Sequence, residues 1–292
     1  MWHFLFGLKD YYMDGRKRAM SKKVSTLRAV MRYDGEVFQD IDDEIACEYP
    51  LTIMVNGMEF ATMVCTPEHM EELLLGFLAS EGIIRLPDDV ESFSINQKTG
   101  FAYVEVKNKG KLSPQHSKRF IGSCCGKSRQ FYLQNDVRTA KTIMSKQQIS
   151  VQDCQAMIKH MQEHSSFFKQ TGGVHNAALC NTEGVVVTRT DIGRHNALDK
   201  IYGFCLQNRI GLSDKVIAFS GRISSEVLLK VAKIGVGIVL SKSAPTDLAL
   251  DLAEDLGITT VGFIRGNTLN VYTHPKRIIE TQSVKCESSY DV

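Results

Sequence analysis

Cys124 and Cys125 stand side by side in a stretch from 107 to 129 that carries Lys107, Lys109, Lys111, Lys118, Arg119, Lys127 and Arg129 and no acidic residue. Cationic neighbours favour the thiolate, which is the nucleophilic form of cysteine. A thiolate on an accessible loop can attack a sulfur donor, hold the sulfur as a persulfide and pass it to a bound acceptor. Adjacent cysteines are poor ligands for one metal without further donors, and a disulfide between them is strained, so neither kind of staple is assigned. The competing reading is two incidental loop cysteines. Cys47, Cys65, Cys154, Cys180, Cys205 and Cys286 read as packing or surface residues.

A second group of residues suits an anionic ligand. The segments Arg189 to Asn196, Ser220-Gly221-Arg222, Ser241 to Thr246 and Arg265-Gly266-Asn267 each follow an apolar run and combine glycine with hydroxyl or guanidinium groups. Glycine lets backbone N–H groups approach phosphate oxygens, and Arg194, Arg222 and Arg265 can grip phosphate bidentately. Ser220, Gly221, Ser243 and Thr246 add donors, and His175, within Thr171-Gly172-Gly173-Val174-His175-Asn176, and His195 are the imidazoles placed to enter the same site. Any one loop alone is better explained by turn and capping chemistry; the four together on one edge point to an anionic, nucleotide-like ligand. A zinc deaminase would need His-x-Glu together with Pro-Cys-x-x-Cys. Here His175 is followed by Asn176-Ala177 and no Cys-x-x-Cys occurs, so no metal site is assigned.

These residues need a scaffold, and the apolar periodicity supplies one. Leu51 to Asn56 and Met58 to Cys65 alternate around Asn56-Gly57 and predict a hairpin. Thr66 is expected to cap a helix carrying Met70, Leu73, Leu74, Phe77 and Leu78, and Phe93–Ile95 with Phe101–Val106 predict a further strand pair. A helix is expected over 151–164. Strands are expected over 176–180, 184–189, 215–219, 236–240 and 258–264, and helices over 194–207, 224–234 and 247–256. Alternating strands and helices with short connections imply a mostly parallel sheet covered on both faces, whose ligands bind beyond the strands' carboxyl ends. The expected organisation is a basic tail over 1–45, an α+β domain over 46–110, a cationic cysteine-bearing loop over 111–135, an α/β domain over 136–280 and a tail over 281–292.

Composition sets outer bounds. The 292 residues carry 35 Lys+Arg against 33 Asp+Glu, a net charge of +2, so no overall nucleic-acid footprint exists. Residues 15–33 hold seven basic residues and no acid, and read as a solvated tail rather than a nucleic-acid arm. No apolar run reaches the length of a membrane span, and the scattered cysteines fit a reduced, cytoplasmic setting. The stretch Trp2 to Leu8 lacks the marks of a signal peptide, and Met13 or Met20 could equally begin the chain.

The chain resembles the FdhD/NarQ family, formate dehydrogenase accessory proteins that act as sulfur carriers. The resemblance runs from Tyr49 to Arg277 and rests on Cys-Cys-Gly-Lys-Ser at 124–128, TGGVHNAAL at 171–179, RTDIGRHNALDK at 189–200, SGRISSE at 220–226, SKSAPT at 241–246 and GFIRGNTLNVYTHP at 262–275. It implies that a cysteine takes persulfide sulfur from a cysteine desulfurase and delivers it to the molybdenum or tungsten of a bis(molybdopterin guanine dinucleotide) cofactor before insertion into formate dehydrogenase. It also implies a homodimer and a second domain similar to the cytidine-deaminase fold without its zinc site. The family's cofactor-binding segment maps onto Phe263, Ile264, Arg265, Gly266, Asn267 and Thr268. The usual motif is Cys-x-x-Cys before Gly-Lys; aligned on Gly126-Lys127, Cys125 takes the second position and Gly122 the first, with Cys124 displaced by two places. Both cysteines are therefore assigned to catalysis, without a choice between them. The alternative function is a non-catalytic molybdenum-cofactor chaperone, in which no transferable sulfur resides on the protein.

Overall fold

The computed structural model describes residues 23–107 and 139–280, with the backbone of 119–121. It opens on an antiparallel ribbon of β1 (Ser25–Tyr33) and β2 (Phe38–Ala46), where a basic tail is expected from sequence. The physical reason lies in the partner strand: Asp43 of β2 stands opposite Arg28 and 3.3 Å from Arg32, so the basic residues of β1 meet a carboxylate on their own face of the ribbon. β3 (Tyr49–Val55) and β4 (Met58–Cys65) form the expected hairpin, with Asn56 and Gly57 both at positive φ (48° and 78°), the backbone that a two-residue hairpin turn requires. α1 (Met70–Ser80) follows. Its N-cap is His69 in the left-handed region rather than Thr66, whose hydroxyl instead accepts a hydrogen bond from the Ile192 amide. β5 (Val90–Asn96), β6 (Phe101–Val106) and β7 (Arg119–Ile121) complete a five-stranded sheet in the order β5-β6-β3-β4-β7.

β8 (Ile149–Ser150) leads into α2 (Val151–Glu163), where Ser150 and Asp153 cap each other reciprocally, and then α3 (Ser166–Thr171). The remaining elements are β9 (His175–Asn181), β10 (Gly184–Asp191), α4 (Arg194–Gln207), β11 (Val216–Phe219), α5 (Ser225–Ile234), β12 (Ile238–Ser241), α6 (Asp247–Leu256), β13 (Thr259–Arg265), β14 (Thr268–Val271) and β15 (Ile278–Ile279), which pairs with β8. Six of these strands make one sheet, β10-β9-β11-β12-β13-β14. It is mixed rather than mostly parallel. Only β11, β12 and β13 run parallel, because the β9–β10 hairpin joins β11 antiparallel and β14 folds back on β13.

Alternation along the strands sorts the core. Ala177, Leu179, Ile217, Phe219 and Val239 face the core formed with α4, α5 and α6, while Ala178, Cys180, Val216, Ala218, Ile238 and Leu240 face α2. The first core continues without a break into the N-terminal sheet through α1, which lies along α4. That crossing is set by two glycines: a Cβ at Gly76 would collide with the Asp199 carbonyl, and one at Gly203 with the Glu72 carbonyl. The two halves therefore share one interior. No helix among the described residues is long and apolar enough to cross a membrane.

Candidate functional site

The sheet order brings the sequence-predicted loops to one rim. His175 at the start of β9 pairs with Asp191 at the end of β10, Ala177 pairs with Phe219 of β11, and Phe219 pairs with Ser241 of β12. His175, Arg194, His195, Ser220, Gly221, Arg222, Ser243 and Phe263 thus converge on one edge, as expected for strand carboxyl ends. The loops are stitched to one another. The Asn176 amide donates to Ser220 Oγ at 2.9 Å, Ser243 Oγ donates to the Ser220 carbonyl at 3.3 Å, and the Phe263 amide donates to the Ser243 carbonyl at 3.2 Å. Ser220 and Ser243 thereby hold the loops in place, beyond any donor role toward a ligand. The Thr246 amide donates to the Ile223 carbonyl, and Thr246 stands at the N-cap of α6 without capping it through its side chain.

α4, α5 and α6 all begin on this rim, behind Gly193, Ser224 and Thr246, and none of these three makes a side-chain cap. First-turn amides and the helix dipoles favour an anion there. Phe263 adopts φ 52° at a bulge in the β13–β14 pairing, an uncommon conformation for an aromatic residue, and the Arg265 guanidinium lies 5.2 Å from its ring centroid. Arg265, Gly266, Asn267 and Thr268 form an exposed hairpin turn in which Thr268 Oγ1 donates to the Arg265 carbonyl. Ile264 departs from the other five: it is buried in the core under α2.

The two imidazoles differ in their partners. The His175 pKa is lowered by burial first, then by the positive charge of Arg194 and by His195. The His195 pKa is lowered by burial, against which Glu226 of α5 acts from 3.2 Å. Both rings are thus held toward the neutral form. Among the described residues no three His, Cys, Asp or Glu side chains cluster to hold a metal.

Most polar residues of the segment 189–200 turn inward and weld the halves together. Asp191, fully buried, accepts from the Gly193 amide (2.8 Å) and Asn196 Nδ2 (3.0 Å) on one oxygen, and from the Thr66 amide (3.0 Å) and Lys200 Nζ (2.7 Å) on the other. Asn196 Nδ2 also reaches the Val64 carbonyl of β4. Arg189 makes a bidentate pair with Glu72 of α1, and Asp199 accepts from Lys230 and Ser80. Glu72, Thr66 and Lys230 carry no signal of this role in the sequence, since their partners lie more than 30 residues away or across the interface.

Cys124 and Cys125 lie outside the described residues. The strand before them does not: β7 pairs parallel with β4, Ala61 with Arg119 and Met63 with Ile121, so the chain leaves the sheet toward the Val64–Thr66 end that Asn196 and Asp191 bind. Cys65, Cys154, Cys180 and Cys205 are buried, and burial pushes each thiol up to about 12. None of these four supplies a thiolate at neutral pH.

Fold and rim together define a mixed α/β protein whose strand-end loops and the first turns of three helices meet on one edge of its larger sheet. The model of the FdhD/NarQ family matches residues 46–279, and the chain belongs to that family. It is 56% identical over 262 residues to the sulfur carrier protein FdhD of Bacillus subtilis (strain 168), covering 89% of this chain and 100% of that protein. The protein of the same name from Staphylococcus aureus (strain MRSA252) is 54% identical over 265 residues, covering 90% of this chain and 100% of that one. A crystal structure from Desulfotalea psychrophila, named as a formate dehydrogenase accessory protein, superposes with a TM-score of 0.72 at 25% identity, covering 88% of this chain and 100% of that one.

Proposed function

We propose that the protein carries sulfur for the maturation of formate dehydrogenase in the cytoplasm. A thiolate at Cys124 or Cys125 attacks the terminal sulfur of a cysteine desulfurase persulfide. The new S–S bond forms as the old one breaks, and the desulfurase thiolate leaves with its electron pair. The acceptor is the metal centre of a bis(molybdopterin guanine dinucleotide) cofactor held at the rim. Reducing sulfane sulfur to a metal-bound sulfide takes two electrons, which the acceptor centre supplies as the carrier thiolate departs.

The observation that carries this reading is the register of β7 on β4. Cys124 follows Ile121 by three residues, a reach of at most roughly 10 Å, and β4 at that end is bonded to the loop that opens α4. The rim's Arg194, Arg222 and Arg265, with the first turns of three helices, suit the phosphates of a guanine dinucleotide. The resemblance implies that the α/β/α half is related to the cytidine-deaminase fold with its zinc site lost, and the absence of His-x-Glu at His175-Asn176-Ala177 accords with that loss.

The test is the intact mass of the protein after incubation with a cysteine desulfurase and L-cysteine, with and without reductant. A reductant-sensitive gain of one sulfur atom, lost in Cys124→Ala or in Cys125→Ala, is expected. No gain with an active desulfurase would overturn the carrier and leave the cofactor-chaperone reading standing.

A further inference from the structure

A carboxylate stands inside the rim that suits an anion. Glu226 lies in the first turn of α5, and its side chain, 13% exposed, sits 3.2 Å from Nε2 of His195, 22% exposed, in the first turn of α4. A glutamate on the surface of a first turn is an ordinary complement to the helix dipole. This one is turned inward between two helix starts, where its charge opposes the phosphate that the same amides favour. Ser224, the N-cap of α5, leaves its Oγ buried and without a hydrogen bond among the described residues. A buried hydroxyl left so costs about 1–3 kcal/mol, which a ligand oxygen at that helix start relieves. The charged and titratable groups facing His195 are Glu226 and Lys230 on α5, Arg194 on α4 itself and His175 on β9. Lys230 is held by Asp199 at 2.6 Å, so the charge beside Glu226 that can change near neutral pH is that of His195.

We propose that Glu226 is a positioning residue for anion binding at the rim, holding His195 so that its ring takes a proton from solvent as a phosphate-bearing ligand binds. An ionised carboxylate only accepts, so Glu226 keeps the hydrogen on Nε2 and leaves Nδ1 as the basic nitrogen. In the empty rim, burial, Lys230 and Arg194 outweigh Glu226, and the ring is neutral. A ligand phosphate brings a second negative charge to the ring and moves its equilibrium toward imidazolium. The new positive charge then offsets Glu226, and by linkage the proton raises ligand affinity by the factor with which the ligand raises proton affinity. The pair thereby sorts ligands by charge, since an uncharged nucleoside draws no proton and gains nothing from it. This inference rests on the rim being the anion site of the proposed function and involves no sulfur chemistry.

Calorimetry of the full chain tests it, with a pyrophosphate diester of guanosine as the probe because its own charge is constant between pH 6 and pH 8. Titration in buffers of different ionisation enthalpy counts the protons taken up. Net uptake is expected, with affinity several-fold to about tenfold higher near pH 6 than near pH 8. Glu226→Gln should bind more tightly than wild type near pH 8, because a repelling charge is gone, and should lose most of the gain on acidification; Glu226→Asp restores part of that gain. A merely structural role would instead weaken binding at both pH values. His175→Gln keeps the proton uptake and His195→Gln abolishes it. The side-chain 15N shifts of His195 in the wild-type protein, with and without the probe, read the same protonation should a variant fail to fold. Binding without proton uptake, or an unchanged pH profile in Glu226→Gln, overturns the proposal and leaves the rim an anion site. Absence of binding at either pH overturns the rim reading itself, and the proposal with it.

Discussion

Asp191→Asn removes one negative charge from a site where four donors converge. The side chain keeps its shape, but Lys200, fully buried, loses the carboxylate it pairs with and keeps the carbonyls of Thr190 (3.0 Å) and Thr66 (3.3 Å). Breaking a buried ion pair by neutralising one partner costs about 3–5 kcal/mol, because the remaining charge stays out of water. Against a total stability of roughly 5–15 kcal/mol this is severe. Replacing both charges, with Lys200→Met in the same chain, removes the stranded ammonium, so the double substitution costs less than Asp191→Asn alone. The coupling is at least about 2 kcal/mol, within the range for residues sharing one network. Urea denaturation followed by far-UV circular dichroism measures all three variants, with constant slope required for the comparison. A cost below about 1 kcal/mol for Asp191→Asn, or strictly additive costs, refutes the reasoning.

Gly203→Ala drives a methyl into the Glu72 carbonyl; since backbone cannot swing aside as a side chain can, about 1–3 kcal/mol is lost, seen as a lower thermal midpoint, whereas Gly211→Ala, in open space, is tolerated. The lowered His175 and His195 pKa values make stability fall as pH drops from the unfolded value of 6.5 toward the folded ones, because the unfolded chain then binds more protons; urea midpoints between pH 7.5 and 5.5 should decline, and His195→Gln should flatten the slope. Arg265→Ala should weaken GDP binding by on the order of ten- to a hundredfold, the worth of a charge-assisted hydrogen bond, while leaving the melting temperature unchanged, since Arg265 is exposed; unchanged affinity by calorimetry removes it from the site.

Local chemistry was legible where one stretch of chain decides the outcome. The Asn56-Gly57 turn and the span of α4 follow from turn residues and apolar spacing, and the rim loops follow from glycine, hydroxyl and arginine after apolar runs. What escaped depends on pairing between distant segments. The alternation of Leu27, Ala29, Met31 and Tyr33 lies within a basic run, and only Asp43 on the strand opposite gives Arg28 and Arg32 a partner. Thr66 has the residue type and position of a helix cap; a buried amide of Ile192 and the carboxylate of Asp191 compete for it and win. β14 is too short to announce itself, and it turns a parallel edge into an antiparallel one. Ile264 lies inside the matched segment yet points into the core, because alternate strand residues face opposite sides.

The polar residues of 189–200 divide by direction, and the division explains why so many of them are needed. Arg194 and His195, in the first turn of α4, remain on the rim, while Arg189, Asp191, Asn196, Asp199 and Lys200 bind the N-terminal half, at α1, the end of β4 and Thr66. A site assembled from one domain would not require this. Under the sulfur transfer proposed above, the rim receives a reactive group from the other half, and loops that slide by an ångström or two would lose alignment between donor and acceptor. Asp191 meets that requirement directly: one carboxylate fixes the end of β10, the turn that opens α4 and the residue that follows β4. Since β7 is paired to β4, the same carboxylate sets where the chain sets out toward Cys124 relative to the rim. On the proposed function, neutralising it should therefore slow sulfur delivery to the cofactor more than sulfur loading from the desulfurase, because loading would need only the cysteine segment and delivery both halves in register.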